Sequence, residues 1–556
     1  MAEQATPSVD GPKHGGAILV DELVAQGVDR VFCVPGESYL AVLDALYDAD
    51  IHTVTARQEG GATMMAEAHG KLTRRPGIAM VTRGPGATNA ASGVHVAFQD
   101  STPMILFIGQ VASDQRDREA FQEVDYRAMY APLAKWVAEI DRADRIPEYI
   151  SRAFSTAMSG RPGPVVLALP EDMLSATYED LPKPLPRIKP AVQRPDEETI
   201  DQIIDAAAVA QKPFLLIGGG GWTAEARQAA ANFAETMQVP IGTSFRCQDY
   251  IDNRHLNYAG DVGIGPNPAL AERVRDADLL LVAGPRLGEM TTSGYTLPTP
   301  PNPTQKLIHI HPDPNELGRV YRPTLALAAN PASTIVALAD KARAPEQDRR
   351  KDVQACRASY EAWQEPQETP GAVKMEAVIQ HLASVLPDDA ILTNGAGNYA
   401  AWLHRYYSYR GWRTQLAPTS GSMGYGLPAA VAAKLHQPNR TVVCLAGDGC
   451  FQMTMQEFGT AADQGAASIV LVANNGHLGT IRMHQHRTYP GRQSATSLKN
   501  PDFAALARSY GGYGATVKSQ NDFTDLFAEA MRSRKPALLD LKLDPRALSP
   551  RMALDG

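Results

Sequence analysis

The sequence predicts an α/β protein of three doubly wound units, each a parallel sheet with helices on both faces. Three observations carry this. Short apolar runs without polar alternation recur along the chain, as strands buried on both faces require, and helical patterns separate them. A proline-rich stretch and a charged stretch each interrupt that rhythm. A length of 556 residues leaves room for about three to four domains.

The first unit is placed at residues 14–181, with strands expected at Arg30–Val34, His52–Ala56, Ile78–Thr82, Met104–Gly109 and Pro164–Leu169. The connection after it carries Pro182, Pro184, Pro186, Pro190 and Pro195, whose fixed φ makes a stiff linker. A second unit, residues 196–341, has strands expected at Pro213–Ile217, Val239–Thr243, Leu279–Ala283 and Lys306–His311. Its Gly218–Gly221 run lacks the spaced dinucleotide fingerprint and reads as a turn. His309 and His311, alternating on a strand, read as packing or surface residues. Charged, helix-prone residues 342–365 form a connector to the third unit, residues 371–545. There strands are expected at Ala390–Thr393, Thr441–Ala446 and Ser468–Ala473, with a helix over Met455–Gln464. The first and third units share a rhythm without a sequence repeat, so similar topology is expected of them.

Composition removes several function classes. A net charge of −8 with dispersed Lys and Arg argues against nucleic-acid binding. The five cysteines show no paired spacing, which suits reduced packing residues. The first 14 residues lack an apolar stretch and nothing approaches the roughly 20 apolar residues of a membrane span, so a cytoplasmic protein without membrane contact is expected.

The chemistry gathers where two strands end. One enters Gly447-Asp448-Gly449 and the next ends in Asn474-Asn475. Parallel strands joined by one helix lie side by side, so their carboxyl ends converge. Glycines let backbone approach a phosphate closely, while Asp448 and Asn475 offer hard oxygen ligands to a metal. Together these predict a diphosphate held through a hard divalent cation, and the pair of motifs resembles the signature of enzymes that bind thiamine diphosphate through Mg²⁺. The chain resembles the acetohydroxyacid (acetolactate) synthase branch of thiamine-diphosphate enzymes, which includes pyruvate decarboxylases, over nearly its whole length.

The resemblance assigns roles residue by residue. Arg57-Gln58-Glu59-Gly60-Gly61-Ala62 matches the family's catalytic glutamate, and Glu59, in an apolar crevice, would hold a proton for N1′ of the aminopyrimidine. Gly84-Pro85-Gly86-Ala87-Thr88-Asn89 lines that pocket, with Pro85 and Asn89 at the cofactor. Gly395, Gly397 and Asn398 resemble a loop contacting the diphosphate, although a plain turn is equally consistent with their composition. Gly421 matches the carbonyl that accepts the 4′-amino group, and Met423 the apolar wedge beneath the cofactor; on composition alone Met423 is core filler. Around the metal the resemblance places Gly447, Asp448, Gly449, Asn475, Gly479 and the backbone carbonyl of His477, whose ring faces substrate or solvent. Gln110 and Gln122 are candidates to hold a substrate carbonyl or carboxylate, or are surface glutamines. Because the family builds each site from the first unit of one subunit and the third of another, a homodimer or homotetramer is implied.

Four positions depart from the synthases. Glu37 stands where they carry a small residue and decarboxylases an aspartate, and is either an active-site acid or a turn residue facing water. Glu171 replaces a lysine, His484 appears where a tryptophan shapes the acceptor pocket, and Pro285–Met290 differs from the segment near FAD. FAD is therefore not expected. The resemblance implies a carboligase or decarboxylase acting on a 2-oxo acid or small aldehyde through a C2-ylid and enamine. Two alternatives stay open: a C–C lyase or hydrolase of an acyloin or dione, and a catalytically silent cofactor-binding or regulatory subunit.

Overall fold

The computed structural model describes residues 12–179 and 183–554. The proposed end of the first unit at residue 181, and Pro182 of the linker, lie outside the described residues.

Three six-stranded parallel sheets dominate the molecule. The first runs His52–Thr55, Arg30–Cys33, Gly77–Val81, Met104–Gln110, Pro164–Pro170, Trp136–Glu139 across its width. The third runs Gln415–Leu416, Ile391–Asn394, Val442–Gly447, Ile469–Asn474, Ala537–Lys542, Tyr513–Val517. Numbered within its own unit, each has the strand order 2-1-3-4-6-5, so the similar topology expected of these units is found. The central sheet, with Pro213–Ile217 and Leu279–Ala283 in the middle, has the order 3-2-1-4-5-6.

All twelve strands expected from sequence form, with ends shifted by at most two residues. Val239–Thr243 begins instead at Ile241, after Pro240, which has no N–H to give. The helix expected over Met455–Gln464 is shorter, Glu457–Asp463. The connector 342–365 is more than a spacer. It contains helix Arg350–Trp363, whose buried Val353, Cys356 and Tyr360 close one edge of the central unit. The proline-rich segment is held too: buried Glu22 accepts from Leu185 N–H and Gln26 donates to the Pro186 carbonyl.

The core of the first unit is continuous with that of the third. Helix Glu59–Thr73 packs on helix Gly426–His436, and their small residues let the backbones approach. A cavity of about 900 Å³ lies where the three units meet, edged by Gly219–Gly221 and the segment Pro285–Met290. No helix among the described residues is long and apolar enough to cross a membrane.

Candidate functional site

In a 2-1-3-4-6-5 sheet the order reverses between strands 1 and 3, and ligands settle outside the strand carboxyl ends at that point. The first and third units each carry their candidate residues there.

In the first unit, four neighbouring strands end in Cys33, Val81, Gln110 and Pro170, and a fifth in Thr55. Glu59 opens helix Glu59–Thr73 just after that fifth strand, capped by Gln58, whose side chain accepts from Gly61 N–H. Asn89 Nδ2 donates to Glu59 Oε2 at 3.0 Å. The other oxygen, Oε1, stands beside Gly86, where an added Cβ would come within 3.4 Å of it. Pro85, first residue of the next helix, and Asn89 are exposed and Glu59 is half-exposed. The apolar crevice expected around Glu59 is therefore not closed within one chain.

Glu37 follows its strand on a short 3₁₀ turn, seated by the Ser38 hydroxyl against that of Thr82 at 2.8 Å. Its carboxylate is 68% exposed and lies 3.6 Å from Arg83. Arg83, itself buried, pairs with Glu171 at 2.8 Å and donates to the Phe121 carbonyl. Two carboxylates thus share one guanidinium. Nothing in the local sequence marks Arg83; only the sheet order brings it between Glu37 and Glu171. Gln110 is buried, with its amide donating to the Val124 carbonyl and accepting from Val111 N–H, so it anchors the following loop rather than facing open space. Gln122, on that loop, has φ +66° and lies so near Gly84 that a Cβ there would fall 2.7 Å from its own.

The third unit presents a cleft of about 260 Å³. Asp448, 2% exposed, is held in one orientation: Oδ1 accepts from Gly449 N–H at 2.9 Å, and Oδ2 from Gly476 N–H at 2.8 Å and Asn500 Nδ2 at 2.7 Å. Burial pushes its carboxyl above the ordinary aspartate value, opposed by these donors. Asn475 Oδ1 accepts from His477 N–H at 3.0 Å, and Nδ1 of the His477 ring lies 2.9 Å from the Asn475 carbonyl, with the residue half-buried along the cleft wall. Flanking bridges use the carbonyls of Gly476 and Thr496 and leave that of His477 out.

Gly395 N–H donates to Tyr399 Oη, and the Asn398 side chain to the Leu548 carbonyl. Thr480, beside Gly479 at the start of helix Gly479–Thr488, exchanges hydrogen bonds with Asn398 at 3.0 Å. Close approach explains the glycines: a Cβ on Gly397 or Gly447 would meet Tyr399 at 2.7 or 2.8 Å, and one on Gly449 would meet Leu478 at 2.6 Å. Gly421, at φ +69°, faces open space, and Met423 rests on the third core within reach of Gly449. His484 is exposed on its helix. Asn500, Thr480 and Tyr399 were not found from sequence, because no local motif surrounds them.

Among the described residues no three His, Cys, Asp or Glu side chains cluster as a metal site. A carboxylate, an amide oxygen and a free carbonyl are nonetheless the donors a hard divalent cation takes, and the glycine-lined cleft suits a phosphate beside it. No residue of the first unit lines this cleft among the described residues.

Comparison with known proteins agrees with this division. Residues 13–129 match the thiamine pyrophosphate enzyme N-terminal binding domain, 200–338 the central domain and 395–541 the C-terminal binding domain. The acetolactate synthase large subunit of Haemophilus influenzae is 30% identical over 95% of this chain and 94% of its own length. The chain belongs to the thiamine pyrophosphate enzyme family. The acetolactate synthase isozyme 2 large subunit of Escherichia coli is 31% identical over 96% of both chains. The catalytic subunit of the mitochondrial acetolactate synthase of Saccharomyces cerevisiae is 29% identical over 96% of this chain and 81% of its own. As a member of this family the chain is a thiamine-diphosphate-dependent enzyme of transferase or lyase type.

Proposed function

We propose that the chain is a Mg²⁺-dependent, acetolactate synthase-like carboligase or decarboxylase for a 2-oxo acid or small aldehyde, cytoplasmic and working as at least a homodimer. The observation that carries this is the pair of half-sites at the two matching switch points, which do not meet within one chain. Phe121 beside the first and Ile481 beside the third are 73% and 51% exposed, as surfaces awaiting a second copy would be. In this reading residues 14–181 bind the aminopyrimidine, 371–545 the diphosphate and metal, and 196–341 join them.

When bound, thiamine diphosphate supplies a carbon nucleophile and an electron sink that no side chain offers. Asp448, Asn475 and the His477 carbonyl would hold the metal, and Gly395, Gly397, Asn398, Gly447, Gly449 and Gly479 would lie beside the diphosphate. Gly421, facing open space, and Met423, resting on the core beside Gly449, would line the cofactor's seat. Glu59 holds a proton at Oε1, the oxygen left free when Asn89 occupies Oε2. Gln122 faces the substrate, and Gln110 fixes the loop that carries it. Glu37 stands as an acid over the reacting carbon, oriented by Arg83, which also pairs with Glu171. Intact Glu59, Asp448 and Asn475 argue against a silent subunit. FAD is not part of this reading; the support is the altered Pro285–Met290 segment, whose Arg286 reaches across to the Gln99 carbonyl at 2.6 Å.

The test is hydrogen–deuterium exchange at C2 of bound cofactor in wild type and Glu59→Gln, with a panel of 2-oxo acids and aldehydes. An amide cannot hold the acid's proton, so exchange should slow by about 10²-fold or more while cofactor still binds. Wild-type exchange in the variant would refute the role of Glu59.

A further inference from the structure

Helix Glu59–Thr73 is buried from Gly60 through Gly70, and side chains of the third unit of the same chain grip it. Tyr425 Oη donates to buried Glu67 in the middle of the helix. The second grip is at the start. Glu457 is fully buried, yet its carboxylate points at the turn just ahead of Glu59: Oε1 and Oε2 both lie 3.2 Å from Arg57 N. The Thr460 hydroxyl donates to Oε2 at 2.7 Å and fixes the carboxylate from its own helix. Gly61 leaves the space it needs, since a Cβ there would fall 2.4 Å from Oε1.

A buried carboxylate is a costly way to cap one backbone N–H, because a neutral side chain does so without desolvating a charge. Burial indeed pushes the Glu457 carboxyl above its ordinary range, opposed by Thr460 and the N–H groups of Arg57 and Gln58. What a carboxylate adds is two acceptors in one rigid plane, at a helix start whose dipole favours an anion. It therefore fixes the backbone two residues before Glu59, which a single-acceptor cap does less well. Glu457 has no part in the proposed function above. It neither lines the cleft nor binds the metal, although it lies on the helix between Asp448 and Asn475.

We propose that Glu457 is a positioning residue that holds the Arg57–Gln58 turn so that Glu59 enters its helix with the carboxyl against Asn89. The proposal rests on the reading of Glu59 as the acid at the cofactor. A shift of about 1 Å at a group placed for proton transfer costs on the order of 10²-fold in rate, and the turn is short enough to pass such a shift on.

The experiment compares Glu457→Gln and Glu457→Asp with wild type and Glu59→Gln. It reads C2 exchange of bound cofactor, the Kd of thiamine diphosphate with Mg²⁺, the thermal midpoint, and amide exchange at Gly60 and Gly61 in the cofactor-free protein. Both Glu457 variants should slow C2 exchange by about tenfold or more and speed the Gly60 and Gly61 amides, with Kd within about twofold of wild type. A lower midpoint with unchanged C2 exchange would make Glu457 merely structural and overturn the proposal. Should the Glu457 variants not fold, Thr460→Val, which frees Oε2 while keeping the carboxylate, should slow exchange about threefold, and no slowing overturns the proposal equally. If Glu59→Gln itself exchanges at the wild-type rate, the underlying reading of Glu59 has failed, and the proposal with it. Slow Glu59→Gln with normal Glu457 variants rejects the positioning role alone.

Discussion

Asp448→Asn separates a metal ligand from a structural brace. The amide matches the carboxylate in shape, but one of its ends donates instead of accepting. With nitrogen in the place of Oδ1, Gly449 N–H loses its acceptor; with nitrogen in the place of Oδ2, Gly476 N–H and Asn500 both do. The better orientation leaves one buried donor unpaired, which costs about 1–3 kcal/mol of stability in the cofactor-free protein. Losing the anionic ligand removes a charge-assisted contact to the metal as well. Taking that as about 2 kcal/mol gives roughly a 30-fold weaker Kd for thiamine diphosphate at fixed Mg²⁺. Chemical denaturation of metal-stripped protein measures the first effect and titration calorimetry the second. Destabilisation with unchanged Kd would show Asp448 to be a brace only, and the metal assignment would fall.

Three further outcomes are expected. Glu37→Gln should leave C2 exchange as in wild type but change turnover, or the ratio of released aldehyde to ligated product; identity of both across the substrate panel would return Glu37 to a solvent-facing turn. In the central unit, burial pushes the Asp261 carboxyl from 3.8 up to about 7. A raised carboxyl contributes stability that is full below the unfolded value and lost as pH rises toward the folded one. Asp261 thus makes thermal midpoints fall between about pH 4 and 7, and Asp261→Asn should flatten that slope; an equal slope in the variant would refute the cause. Purified protein should show no flavin absorbance, and stoichiometric FAD would assign the cavity beside Pro285–Met290 to it.

Much of this was legible in the sequence. Strands buried on both faces must be apolar throughout, so the inner strands of all three sheets announced themselves, Ala537–Lys542 excepted. Five of the six strands of these three sheets that were not found, Trp136–Glu139, Tyr258–Val262, Leu325–Ala328, Gln415–Leu416 and Tyr513–Val517, are sheet edges, where one side needs no partner and the composition blurs into that of loops. Ala537–Lys542 is interior, but Asp540 breaks its apolar run, and only the fold supplies the Asn474 amide that donates to Oδ1 of this buried carboxylate at 2.8 Å, while Lys542 of the same strand pairs with Oδ2. The motif residues Glu59, Asp448 and Asn475 were visible because glycines and oxygen ligands lie within a few positions of one another. Arg83, Asn500 and Glu457 were not, since each acts on residues 26 to 400 positions away in sequence, and burial and hydrogen bonding across such distances are set by which strands and helices become neighbours.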